Sequence, residues 1–370
     1  MNAIYLVTDD RLADVAGVQA QRLAEQWQCD VHIFVERRDP AKAVREFHHG
    51  DRIHYHYEEL GGLVPEGLPE DRKWPRIVYM RLFAPSLLPQ YDRLLYLDAD
   101  ILSLRAEPAV WNVDLPAGIG AVSDIATLES APYDLKGVSR EKWLAAVGVK
   151  SGRYLNSGML LIDTAKWLKI DFAAELRRYF AAYPEAARYD QDFLAHLFDG
   201  RWTELSPRLN YQAYVMELGL TRAVAPVFVH FCRTQKPWYG DSRGWRAPTD
   251  PSYTEIYQEM FRTAGLNPDD YTRPNKVNAL RRARYRLRLW LRRFGVISGR
   301  ERRDIETWRK RSDSFLHFMQ KGLATGQFAD EGRKRLDAPR CAPVFDGRFA
   351  VGVENRPDLR EQVKEEASRV

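Results

Sequence analysis

Two aspartates one residue apart, Asp98 and Asp100, close the run Arg93-Leu94-Leu95-Tyr96-Leu97-Asp98-Ala99-Asp100. An apolar strand ending in carboxylates delivers them to the carboxyl edge of a sheet, where open α/β sheets bind ligands. Alternate side chains of a regular strand share one face but stand several ångströms apart. Both carboxylates reach one ion only if the chain leaves strand geometry there. Hard carboxylate oxygens suit Mg²⁺ or Mn²⁺, and an imidazole as third ligand tilts the choice toward Mn²⁺. Taken alone, the Asp-x-Asp pattern reads more often as a solvated turn.

Three further segments carry chemistry-bearing residues. In Val229-His230-Phe231-Cys232-Arg233-Thr234-Gln235-Lys236-Pro237-Trp238, a histidine ends an apolar run and a lysine follows six residues later. A lone histidine is more often a core or surface residue than a ligand, and Lys-Pro-Trp also packs well around a turn. What links them is charge: a metal-bound diphosphate needs a cation on its other oxygens, and a lysine supplies one as a point charge. In Tyr154-Leu155-Asn156-Ser157-Gly158-Met159-Leu160-Leu161-Ile162-Asp163, the Asn-Ser-Gly before a buried strand marks a close backbone approach. In Tyr189-Asp190-Gln191-Asp192-Phe193-Leu194, the polar residues also read as a helix cap.

Short β-rich runs alternating with helical patterns position these residues, which argues for an α/β domain on a mainly parallel sheet. Strands are expected at residues 4–7, 31–35, 52–57, 94–97, 118–122, 159–162 and 227–231. Helices are expected at 12–27, at 77–88 with Pro89 closing it, and at 192–198 ended by Gly200. The domain is expected to cover residues 1–265. A basic segment (266–300) and a helical, partly flexible extension (301–370) follow. In the extension Ile305, Trp308, Phe315, Met319 and Leu323 share one helical face.

The composition, 45% hydrophobic and 12% aromatic over 370 residues, is globular and allows a large core. The net charge of +5 is local, since residues 271–300 hold ten Lys or Arg and no Asp or Glu. The other 340 residues carry −5, the overall charge less those ten. Three cysteines without a C-x-x-C pair suggest neither a disulfide framework nor a zinc site, and fit a reducing compartment. The N-terminal apolar run is too short for a signal peptide, and no run is long enough to span a bilayer. A cytoplasmic protein is expected, peripheral on the inner face of the cytoplasmic membrane.

Asp-x-Asp after Leu-Tyr-Leu, then Asn-Ser-Gly, then Asp-Gln-Asp, then His-Phe-x-x-x-x-Lys-Pro-Trp, in this order over residues 1–240, resembles the family 8 retaining glycosyltransferases. Bacterial lipopolysaccharide galactosyl- and glucosyltransferases are the members most alike in character. The resemblance implies a Rossmann-like, type A glycosyltransferase domain with a mixed sheet, using a UDP-hexose donor, Mn²⁺ or Mg²⁺, and an oligosaccharide or glycolipid acceptor. It assigns the metal to Asp98, Asp100 and His230. It places Thr8, Asp9, Arg81, Asp98, Ala99 and Lys236 on the donor, with Asp9 at the uracil and Lys236 at the diphosphate. Asp124 and Asn156 would hold the transferred sugar, and Asp190 and Gln191 would flank its anomeric carbon. Two positions depart from the family pattern. Arg11 stands where a small polar residue is usual. Arg233 stands at a glycine position, where a guanidinium either replaces a backbone contact to phosphate or narrows the pocket.

In the basic stretch, Leu280, Ala283, Leu287, Trp290, Leu291, Phe294 and Ile297 form one helical stripe about 120° wide, with arginines on the rest of the wheel. Such a helix lies in an anionic membrane interface or packs on its own domain. Nucleic-acid binding is disfavoured because no aromatic stacking platform accompanies the charge. Two other functions stay open. One is a nucleotidyltransferase, which normally carries a Gly-rich phosphate loop that is missing here. The other is a nucleotide- or glycan-binding scaffold without turnover.

Overall fold

The first strand, β1 (Asn2–Asp9), is buried on both faces, and its alternate side chains enter two separate clusters. Tyr5 packs with Phe34, Tyr79 and Tyr96 in one, while Ile4 and Leu6 pack with Ala16, Leu23 and Val31 in the other. Burial on both faces is why such strands read as continuous apolar runs. The computed structural model describes residues 1–41, 43–71, 75–132, 134–216, 218–233, 236–239, 251–273, 279–292, 294, 296, 298–337, 341–345 and 350–354.

Around β1 the chain forms α1 (Ala13–Trp27), β2 (Asp30–Glu36), β3 (Ile53–Tyr57), α2 (Ile77–Met80), β4 (Arg93–Leu97), β5 (Ile101–Ser103) and β6 (Ile119–Ser123). There follow α3 (Arg140–Ala146), β7 (Leu155–Asp163), α4 (Thr164–Trp167), α5 (Phe172–Ala182), α6 (Tyr189–Leu197) and β8 (Thr203–Glu204). Seven strands make one sheet in the order β3-β2-β1-β4-β7-β6-β8. β1, β2, β3 and β4 run parallel, whereas β7 is antiparallel to both β4 and β6. This is the expected mixed, largely parallel sheet.

One expected element differs. Residues 77–88 are not a single helix: α2 stops at Met80, and a 3-10 turn covers Ala84–Leu87. Pro85 lies in that turn. It has no N–H to continue the ladder, and its ring would strike the carbonyl four residues back, at Arg81. Arg81 therefore sits at the break, with its own carbonyl accepting from the Tyr5 hydroxyl at 2.9 Å. The helix α5 was not anticipated, although Phe172, Leu176 and Tyr179 bury one face of it.

The chain divides into two compact units. The first comprises Met1–Asn210, Val227–His230 and Gly326–Gly332, so β10 (Phe228–His230) belongs to it. Its last piece is bound tightly: Asp330 accepts from the Ser206 N–H and hydroxyl, each at 2.6 Å. Nearby, Ala329 N–H donates to the Glu204 carbonyl and the Phe328 side chain is buried.

The second unit holds β9 (Tyr211–Gln212), α7 (Ala213–Met216), α8 (Thr221–Val224), α9 (Pro251–Thr263), α10 (Ala279–Arg292) and α11 (Gly299–Thr325). Of the face expected on α11, Trp308, Phe315, Met319 and Leu323 are buried, while the Ile305 side chain lies outside the described residues. On α10 the expected face is not covered, for Leu280, Leu287 and Trp290, with Phe294 just beyond, are all more than half exposed. Ile297 of the expected stripe lies outside the described residues. Within the extension expected to be helical and partly flexible, β11 (Cys341–Phe345) and β12 (Ala350–Glu354) pair as an antiparallel hairpin. No helix among the described residues is long and apolar enough to cross a membrane.

Candidate active site

The Asp-x-Asp segment does leave strand geometry. After Leu97 the chain turns, with Ile101 N–H donating to the Asp98 carbonyl at 3.0 Å, so both carboxylates sit on one tight turn. The chain then enters β5, which pairs antiparallel with β10 and puts Ile101 opposite His230. That pairing brings a residue 130 positions later beside Asp100. His230 Nε2 lies 3.3 Å from Asp100 Oδ1 and 3.7 Å from Asp98 Oδ2. One ligand atom from each of Asp98, Asp100 and His230 falls within 4.8 Å of the others.

The other ends of Asp98 and His230 are already engaged. Asp98 Oδ1 accepts from the Tyr96 hydroxyl at 2.5 Å and faces Arg81 Nη1 at 3.0 Å, which leaves Oδ2 turned to His230. His230 Nδ1 lies 3.0 Å from Asn210 Oδ1. The orientation of that amide follows from the backbone. Asn156 Oδ1 accepts from Gly158 N–H, so Asn210 must present its NH₂ to that oxygen, at 2.8 Å, and its carbonyl to the imidazole. A carbonyl there requires Nδ1–H and leaves the Nε2 lone pair for an ion, the usual outer-partner arrangement of a metal-bound histidine. Two carboxylate oxygens and one imidazole nitrogen brought this close together fit a divalent ion such as Mn²⁺.

The Asn-Ser-Gly segment allows this approach. Pairing between β6 and β7 jumps from Ala121↔Leu160 to Val122↔Asn156, a bulge that re-aims residues 156–158. A Cβ on Gly158 would stand 2.3 Å from His230 Cε1 and 2.8 Å from Asp98 Oδ2. Only glycine fits.

A polar network runs from these ligands to α6. Gln191 Oε1 accepts from Ser157 N–H at 3.1 Å and from Asn156 Nδ2 at 3.3 Å, while its Nε2 donates to Asp124 Oδ2 at 3.1 Å. Burial pushes the Asp124 carboxyl above the ordinary range, against the hydrogen bonds from Asn156 and Gln191. Asp190 is also buried, with Arg81 Nε 3.4 Å away; burial pushes its carboxyl up to about 6 despite that guanidinium. Burial alone would loosen the Arg81 proton, but Asp190 and Asp98 beside it raise its pKa. The helix-cap reading of this segment does not hold, since the N-cap of α6 is Arg188, with no side-chain cap bond; Asp192, inside the helix, accepts from Arg188 N–H at 2.8 Å and from the Tyr154 hydroxyl at 2.6 Å.

Asp98, Asp100, His230, Arg81, Asp124, Asn156, Asp190 and Gln191 are thus joined by contacts within the first unit. Asp9, at the carboxyl end of β1, is held by Arg11 Nε at 2.7 Å and Arg38 Nη2 at 3.4 Å. Thr8 is buried next to it, and its hydroxyl donates to the Asp9 carbonyl at 3.2 Å. Ala99 is buried between the two aspartates. Lys236 and Arg233 belong to the second unit: Lys236 Nζ donates to the Phe231 carbonyl at 2.6 Å, and the Arg233 guanidinium lies 4.7 Å from the centre of the Tyr214 ring. Asn210 was missed in the sequence, because Arg208-Leu209-Asn210-Tyr211 carries no pattern that marks it.

Residues 17–242 match the family described as "Glycosyl transferase family 8". General stress protein A of Bacillus subtilis (strain 168) is 27% identical over 45% of this chain and 61% of its own length. Lipopolysaccharide 1,2-glucosyltransferase of Escherichia coli (strain K12) is 28% identical over 46% of this chain and 52% of its own. The chain therefore spans only about half the length of the curated relatives it matches. Galactosyltransferase LgtC, solved with donor and acceptor sugar analogs, superposes with a TM-score of 0.52 at 22% identity, over 73% of this chain and 99% of LgtC. That likeness fixes the fold as the type A glycosyltransferase architecture.

Proposed function

The chain belongs to glycosyl transferase family 8, and from that premise we propose that it transfers glucose or galactose from a UDP-sugar to a saccharide acceptor, with retention, in lipopolysaccharide or other envelope glycan synthesis. The observation that carries this is the convergence of Asp98, Asp100 and His230 at the carboxyl edge of the sheet. A Mn²⁺ held there would neutralise charge on the diphosphate as UDP departs.

The chain's own residues supply the rest. Arg81, Asp124 and Asn156 orient the transferred sugar. Thr8, Asp9 and Ala99 line the nucleoside end, where Arg11 must yield one Asp9 oxygen to the uracil N3–H. Gln191 positions rather than attacks, because both ends of its amide are already bonded. Asp190 is paired with Arg81, which weakens it as a nucleophile. Both features favour front-face return, in which the departing phosphate oxygen takes the acceptor hydroxyl's proton while the sugar bond forms on the same face. The exposed apolar residues of α10 support attachment to an anionic membrane surface on the cytoplasmic side.

The test is UDP release from a panel of UDP-, GDP- and CMP-sugars, with Mn²⁺ or EDTA. Slow Mn²⁺-dependent hydrolysis of UDP-glucose or UDP-galactose, abolished in Asp98→Asn and Asp100→Asn, is expected. UDP binding without release from any donor would instead mark a scaffold that has lost turnover.

A further inference from the structure

A second group of imidazoles and carboxylates lies at the opposite edge of the same sheet. Asp30 opens β2, His32 follows on the same face, and His54 of β3 pairs directly with His32. Ala3 pairs with both Asp30 and Leu94, so Asp30 lies level with Leu94. That is about 13 Å along the strands from Asp98, and two strands across.

Four contacts join five groups in a row. The Tyr91 hydroxyl donates to Asp30 Oδ2 at 2.6 Å, and His32 Nε2 lies 3.0 Å from that hydroxyl. His32 Nδ1 lies 3.0 Å from His56 Nε2, and His56 Nδ1 lies 3.2 Å from Glu59 Oε1. Each contact needs one hydrogen. With a carboxylate at either end, one phenol and two neutral imidazoles supply only three. A cation on His32 Nε2 removes the shortage. Nδ1–H of His32 then donates to His56, Nδ1–H of His56 donates to Glu59, and Tyr91 keeps its bond to Asp30.

The other ligands are at hand. His54 Nε2 stands 3.9 Å from Asp30 Oδ1, the oxygen Tyr91 does not use, and the His54 and His32 rings stack with centroids 4.7 Å apart. One ligand atom from each of Asp30, His32 and His54 falls within 4.8 Å of the others. Ligands around a tetrahedral zinc stand about 3.3 Å apart, so modest side-chain rotation closes the set. The side chains of His54 and Asp30 are 40% and 39% exposed, which gives an ion its path and a water its place. Buried His32 is oriented from behind by His56, and Asp30 by Tyr91, as outer partners orient metal ligands.

We propose that Asp30, His32 and His54 bind a divalent ion of the Zn²⁺ class, at a site separate from the Asp98 centre. An ion with one ligand on β3 and two on β2 clips an edge strand to its sheet. Two imidazoles favour Zn²⁺ over Mg²⁺.

The experiment titrates Zn²⁺ into chelator-stripped full-length protein carrying Asp98→Asn, which silences the first site. Calorimetry gives stoichiometry, and Co²⁺ absorption reports tetrahedral nitrogen and oxygen ligation. One equivalent is expected, weakened at least tenfold by His54→Ala and by Asp30→Asn. A rise in Tm on adding Zn²⁺ should disappear in both. His54 is exposed enough for its alanine variant to keep the fold, which circular dichroism checks. No bound equivalent in the Asp98→Asn protein, or binding indifferent to His54→Ala, overturns the proposal; a proton then fills the fourth contact.

Discussion

Replacing Asn210 by alanine tests whether the hydrogen bond behind His230 shapes the metal site. Asn210 is fully buried and gives its carbonyl to His230 Nδ1 and its NH₂ to Asn156 Oδ1. Alanine leaves the buried imidazole N–H without an acceptor, a loss of about 1–3 kcal/mol. It also lets the ring rotate away from Asp98 and Asp100. Removing an outer partner of a ligating histidine generally weakens metal affinity about 10–100-fold, which corresponds to about 1.4–2.8 kcal/mol. The two ranges overlap, so the hydrogen bond alone accounts for the expected loss. Asn156 keeps its bond from Gly158 N–H, and the network of Asn156, Gln191 and Asp124 should hold. Electron paramagnetic resonance titration of Mn²⁺ should show affinity about 10–100-fold weaker. UDP release should need correspondingly more Mn²⁺ and recover most of its ceiling at saturation. A folded Asn210→Ala protein that binds Mn²⁺ within twofold of the parent would refute the reasoning.

Gly158→Ala should keep the fold but cut UDP release about 100-fold or more, since its Cβ displaces both His230 and Asp98; a parent-like rate contradicts this. The raised pKa of Asp190, about 6 when folded against an ordinary 3.8, means the native chain binds the extra proton between those values. Its contribution to stability therefore falls as pH rises through that window. The Tm of Asp190→Asn relative to the parent should climb from pH 4.5 to 7 and then level off, and a flat difference would count against the buried-carboxylate account. Anionic vesicles should bind the full chain at low salt, by about 1 kcal/mol per basic residue near the surface. Salt should weaken that binding, and replacing Trp290 and Phe294 by serine should weaken it at every salt concentration. Indifference to vesicles at low salt would remove the membrane reading.

Much of the central sheet was legible because its strands are buried on both faces and their apolar runs stand out. β1, β2 and β4 are examples. Asp98, Asp100 and His230 were legible as a candidate set through residue type and order. The reason they meet was not: it lies in the pairing of β5 with β10, strands of three residues each, too short to show a period. Asn210 was invisible for a related cause, since its role depends on an amide orientation fixed by Gly158 through Asn156. The break at Arg81 could have been read from Pro85, which the helical pattern of its neighbours obscured.

The piece of chain at Gly326–Gly332 bears on how the protein is made. Ser206 donates its hydrogen bonds to a residue 124 positions later. Synthesis proceeds at about 5–20 residues per second, so that partner arrives roughly 6–25 s after Ser206. During that interval the residues of α10 have already been made, among them Leu280, Leu287 and Trp290, which are exposed in the folded chain. The nascent chain thus presents that helix while its first unit is still open beside β8. Ribosome-arrested chains in which Thr325 has emerged should be cut by protease within the first unit, and those in which Asp337 has emerged should resist.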